Sequence, residues 1–194
     1  MTTTIPRASA ILGAARTLAA KLLLAVPIDR AALSEAMTES AGGNDAAGAW
    51  QQRDSFEALE VALSLAIPEL VGRMDVGAAI STLEALVREL PTHTVRSEEQ
   101  IQFQQFSTPP ALAHLAVHLA RLSSDDILLE PSAGTGIIAS LAKGAVKDLV
   151  VRDGTIRALG QGSRPLLAAH CGNSGTRRGN SDSGPAAERG APNF

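Results

Sequence analysis

The chain has 194 residues, room for one ordinary domain or a small domain with part of another. Apolar residues make up 45% and aromatic residues only 3%, so its core must be built mostly from Ala, Leu, Val and Ile. A net charge of -3 excludes a general electrostatic attraction to nucleic acid, and the single cysteine, Cys171, excludes an internal disulfide and suits a reducing cytoplasm.

Ile11 to Val26 is apolar-rich, but Arg16 and Lys21 interrupt it. It is too short and too charged for a membrane span, and it lacks the unbroken apolar run of a secretory signal. Leu12, Ala15, Leu18, Leu22 and Val26 recur at helical spacing and predict an amphipathic helix. Pro27 breaks it, and Asp29 is placed to cap a second helix, Ala31 to Ser40. Gly42-Gly43-Asn44-Asp45 reads as a turn. Asp54 or Ser55 then precedes an apolar stretch carrying Phe56, Leu59, Leu63 and Ile67, which Pro68 ends or kinks. Ala78 to Leu90 sets Ile80, Leu83, Leu86, Val87 and Leu90 on one side and stops at Pro91. Residues 1–91 thus read as a helical region of about four helices with no motif that carries chemistry. Trp50, in so aromatic-poor a stretch, is expected in the core or at a domain contact.

Thr92 to Gln105 is polar and charged, and Ser97 with Gln100 has the form of a capping box. Thr108 occupies an N-cap place and Pro109 a first helical place. The helix they open is expected to bury Leu112, Leu115, Ala116, Leu119 and Leu122. After a turn at Ser123 to Asp126, Ile127-Leu128-Leu129 has the wholly apolar character of a strand buried on both faces of a parallel sheet. Glu130-Pro131-Ser132-Ala133-Gly134-Thr135-Gly136 follows, then a helix from Ile137 to Lys143 closed by Gly144. Leu149-Val150-Val151 supplies a second parallel strand, making one βαβ unit and an α/β fold class. From about Gly160 the sequence is rich in Gly, Ser, Asn and Arg without periodicity, a composition expected to be disordered. The expected division is 1–91, 92–157 and a tail, 158–194.

His114 and His118 lie four apart on the predicted helix, a spacing that suits a metal pair. No Glu follows His114 and no third ligand is evident, so solvent-facing or packing histidines and no metal are expected. Three readings compete for the glycine turn. A nucleoside cofactor loop uses glycine for positive φ and for close approach of the ligand to the backbone. A dinucleotide fingerprint needs a third glycine where Ile137-Ile138-Ala139 stands, although alanine is sometimes tolerated there. A strand-to-helix turn without ligand is the plainest reading. A phosphate loop is excluded, because Lys143-Gly144-Ala145 does not supply its Gly-Lys-Ser/Thr ending.

Leu129 to Gly136 resembles the cofactor motif of amino-methylating DNA methyltransferases, and Phe106-Ser107-Thr108-Pro109-Pro110 resembles the segment that precedes it in that family. More narrowly, Leu90 through Gly136 is similar to methylase regions of bacterial strawberry notch-related proteins, in which a methylase-like domain precedes a helicase-like region. The resemblance covers roughly residues 10 to 157. It implies a Rossmann-like sheet binding S-adenosylmethionine. Glu130 with Pro131 would close the first strand near the cofactor's amino group. Ser132, Ala133, Gly134, Thr135 and Gly136 would form the pocket wall, and Phe106, Ser107, Thr108 and Pro109 would close over the methionine end. An acidic residue after the second strand would accept the ribose hydroxyls. Asp153 stands at a suitable distance for this, though Asp153-Gly154 is also a common surface turn.

The family's catalytic motif is Asn, Asp or Ser followed by Pro-Pro and an aromatic, and the chain does not contain it. Ala191-Pro192-Asn193-Phe194 has the wrong order, so no catalytic residue is assigned. The expectation is an incomplete methyltransferase sheet behind a helical region, truncated or out of frame after Arg157, and able at most to bind S-adenosylmethionine. DNA, through adenine-N6 methylation, is a partner by resemblance only. The alternatives are a non-catalytic remnant or interaction module binding a protein through its N-terminal helices, and the front end of a strawberry notch-like helicase.

Overall fold

The computed structural model describes residues 5–92 and 107–151. Four helices come first: α1 (Arg7–Leu23), α2 (Arg30–Ala41), α3 (Gln52–Val71) and α4 (Val76–Glu89). They are followed by α5 (Pro110–Ala120), β1 (Ile127–Glu130), α6 (Ile137–Ala142) and β2 (Asp148–Val151). The described chain is therefore mostly helical, with one small parallel sheet. β1 pairs with β2 in the register Ile127–Asp148 through Glu130–Val151. Among the described residues no helix is long and apolar enough to cross a membrane.

Local chemistry accounts for most boundaries. Asp29 caps α2, its Oδ1 accepting the Ala32 N–H at 2.8 Å. Asp75 does the same for α4 with the N–H groups of Gly77 and Ala78, so this helix starts ahead of Ala78. Gly42 adopts φ 71° and closes α2. α1 ends earlier than its apolar spacing suggests. Ala25 turns left-handed at φ 52°, Val26 N–H reaches Lys21 O at 2.9 Å and Ala25 N–H reaches Leu22 O at 3.2 Å. Val26 therefore leaves the helical face and is exposed.

Asp54 is neither the N-cap of α3 nor outside it. It lies in the first turn and reaches back, its Oδ2 accepting the Gln51 N–H at 2.9 Å. Its other oxygen takes Arg7 Nε at 2.8 Å, so the starts of α1 and α3 are tied together. Arg7 Nη2 also reaches Glu57 at 2.8 Å. Pro68 lies within α3 and the helix continues to Val71.

α3 is buried along most of its length and packs against α1, α2 and α6. One cluster of buried residues runs from Ile11, Leu18, Leu33 and Met37 through Ala62 and Ile67 to Leu83, Ala113 and Ile137. Trp50 is part of this core.

Two burial expectations fail. α5 buries Pro110 and Ala113, whereas Leu112 and Leu119 are 58% and 68% exposed. This helix is apolar nearly all round, so periodicity could not choose the covered side; contact with α4 and α6 does. β1 is covered on one face only, leaving Ile127 and Leu129 exposed beside Val150 of β2. No second layer lies over that face among the described residues.

The Arg7–Asp54 tie has an asymmetric consequence. Asp54 is 2% exposed, whereas the Arg7 side chain is 45% exposed and can rehydrate. Arg7→Ala leaves the buried carboxylate the Gln51 N–H and, at 3.8 Å, Arg53 as its remaining partners among the described residues, and is expected to cost about 3–5 kcal/mol. Asp54→Ala loses a charged hydrogen bond and a cap contact, about 2–3 kcal/mol. Urea unfolding of the two variants checks the order, and equal losses would refute it. Ala25→Gly relieves a left-handed alanine and is expected to add about 0.5–1 kcal/mol, seen as a higher melting temperature.

Candidate cofactor turn

β1 delivers Glu130 at its C-terminal end, and the chain turns at once. The Glu130 Oε1 accepts the Ser132 N–H at 3.1 Å, so the carboxylate itself shapes the start of the turn. Gly134 and Gly136 take φ values of 51° and 87°, a region that costs other residues about 1–2 kcal/mol. Gly136 N–H closes the turn onto Ala133 O at 2.7 Å, and Gly136 O then receives Ser140 N–H at 2.8 Å inside α6. The N–H groups of Ala133, Gly134 and Thr135 have no acceptor among the described residues. A Cβ built on Gly134 would meet nothing within 4 Å, so open space lies beside the turn. α6 anchors the far side by burying Ile137, Ala139 and Ala142.

The second segment enters through α5. Ser107, Thr108 and Pro109 are exposed and Pro110 is buried. Pro109 holds the N-cap position with no side-chain cap bond and Pro110 begins the helix, one residue later than the sequence suggests. Thr108 is therefore not the cap, and its hydroxyl is not used up in capping. Phe106 and Asp153 lie outside the described residues, as do the Ser97–Gln100 box and the tail. His114 is half-buried and its Nδ1 has no partner among the described residues, while His118 is exposed.

The structure adds a residue that the motifs do not contain. Glu60, on α3, is close enough to both segments for the Ser107 and Thr135 hydroxyls to act on its carboxylate. Burial pushes its pKa above the ordinary value, neighbouring Glu57 pushes the same way, and the two hydroxyls hold it back. Glu57 is likewise raised by burial, opposed chiefly by Arg7. The sequence carries a trace of this. Glu60 is the only charge between Ala58 and Pro68, in a stretch whose other residues are apolar apart from Ser64. A charge so placed needs a partner, but the pattern does not say which.

Raised carboxyl pKa values mean that the native state holds more protons than the unfolded chain. Stability is therefore expected to fall as pH rises from the ordinary value of 4.5 through the raised native values, and to level off above them. Glu60→Gln removes one of these contributions. Its melting temperature should match the wild type at acidic pH and exceed it at neutral pH. A gap that does not change with pH would refute the assignment.

Comparison with family models, with curated proteins and with solved structures finds no match to this chain.

Proposed function

We propose that the two segments form the cofactor half of a methyltransferase-like site on a partial Rossmann-like sheet, and that the chain binds S-adenosylmethionine without transferring its methyl group. The observation that carries this reading is the turn itself: two left-handed glycines, three backbone N–H groups without acceptors among the described residues and open space beside Gly134, directly after a strand ending in Glu130. A ligand with both donors and acceptors fits that set, since the N–H groups donate and Glu130 accepts. Glu130, Pro131 and Ser132 to Gly136 would hold the nucleoside side. Ser107, Thr108 and Pro109, with Phe106, would meet the methionine end, and Asp153 would take the ribose hydroxyls.

The bound cofactor would supply an electrophilic methyl group on a sulfonium. The residues of this chain bind and orient it. The Asn, Asp or Ser-Pro-Pro-aromatic sequence that would hold a flipped adenine does not occur in these 194 residues, so they supply the cofactor half of such a site. The exposed Leu112, Leu119, Ile127 and Leu129 support a second reading, that of an interaction module or the front part of a larger strawberry notch-like protein.

Calorimetric titration with S-adenosylmethionine tests the first reading, with Gly134→Arg filling the open space. Saturable binding by the wild type that the variant loses, with unchanged helical circular dichroism, is the expected result. A folded wild type that does not bind would overturn the reading.

A further inference from the structure

α1 and α2 form an antiparallel helical hairpin: Gly13, midway along α1, packs against Ser40 near the end of α2 with no room for a side chain. The connection between them is therefore a hairpin tip. Leu23, Leu24, Ala25, Val26 and Pro27 follow one another there without a polar residue, and all five are exposed, Leu24 at 75%. A run of exposed apolar residues this long weakens solubility and is kept where it has a use. The backbone of the tip is closed as well. The N–H groups of Leu24, Ala25 and Val26 donate to the carbonyls of Ala20, Leu22 and Lys21 at 3.1, 3.2 and 2.9 Å, and Pro27 has no N–H. From Leu24 to Pro27 no donor needs water, so the tip can enter an apolar medium without stranding one. Buried Ile28 anchors it to the core from behind.

Charge selects the medium. Residues 1–28 contain Arg7, Arg16 and Lys21 and no Asp or Glu, although the whole chain carries -3. Arg7 is engaged by Asp54 and Glu57. Arg16 is exposed on the side of α1 that also carries Ala20, Leu23 and Leu24, and Lys21 is half-buried next to it. Neither forms an ion pair among the described residues. Of the acids on the neighbouring helix, Asp29 is occupied as the cap of α2, and exposed Glu35 and Glu39 lie roughly one and a half to two and a half turns along it. An apolar tip flanked by cations matches a surface that is negative outside and apolar beneath. We propose that the α1–α2 tip docks the chain on an anionic lipid surface. Leu23, Leu24 and Val26 enter the acyl boundary while Arg16 and Lys21 stay at headgroup level. A projecting tip needs no matching pocket in a bilayer, as it would in a protein partner. The contact is peripheral and asks for no spanning helix.

The test is cosedimentation of the full chain with vesicles of phosphatidylcholine, alone or with about one third phosphatidylserine. Wild type should bind the anionic vesicles about fivefold or more tightly than the neutral ones, and less at high salt. Leu24→Glu should weaken that binding about tenfold or more. Arg16→Gln with Lys21→Gln should remove the preference for phosphatidylserine. Leu119→Glu, at an equally exposed leucine on α5, should bind as wild type does. Circular dichroism establishes that each variant is folded. Leu24→Trp reads the contact directly: its emission should shift to the blue with anionic vesicles, against the background of buried Trp50. A folded wild type that binds neither vesicle, or both equally, would overturn the proposal. So would binding lost in Leu119→Glu but kept in Leu24→Glu. Self-association that Leu24→Glu abolishes, without vesicle binding, would assign the tip to a second copy of the chain and overturn it too.

Discussion

Enclosure of α3 by α1, α2 and α6 obliges the polar side chains on its covered side to find partners away from water. The partners are distributed along its length. Asp54 is tied to Arg7 and to the Gln51 N–H, Glu57 shares Arg7, and Ser64 Oγ donates to the Glu60 carbonyl at 3.2 Å. The Ser107 and Thr135 hydroxyls act on the Glu60 carboxylate. One helix therefore orders the start of the bundle at one end and the glycine turn further along. The core follows the same line, continuing from Ile11 and Leu18 through α3 to Ala113 and Ile137.

Two places along α3 are balanced differently. At the N-terminal end a guanidinium meets the buried acid, and the pair fastens α1. At Glu60 the groups that act on the carboxylate among the described residues are neutral hydroxyls and another acid, so the charge is held at a cost to the folded state. Groups that disfavour the free fold but face a candidate site are common where a ligand supplies the missing complement. Among the described residues the sheet too has an open face. Two parallel strands with Ile127, Leu129 and Val150 uncovered do not form the doubly covered layer in which parallel strands are ordinarily found.

Much of the local architecture is legible in the residues. The Asp29 cap, the Gly42 closure, the strand before Glu130 and the left-handed glycines of the turn follow from backbone chemistry within a few positions. Local chemistry leaves a choice open where two solutions are equally good. Thr108 and Pro109 offer a cap and a first turn, yet Pro110 can also start a helix and does. Asp54 suits the N-cap or the first turn, and the Arg7 guanidinium adds a reason for the latter.

By itself the sequence determined the helices, the strand–turn–helix–strand order and the candidate cofactor turn, because each depends on interactions spanning a few residues. Tertiary structure alone decided which side of α5 is covered, that one face of the sheet is open among the described residues, and that Glu60 comes near Ser107 and Thr135. The physical reason is the same in each case. Burial and charge pairing depend on which distant surface arrives, and neither helical periodicity nor a motif encodes that neighbour.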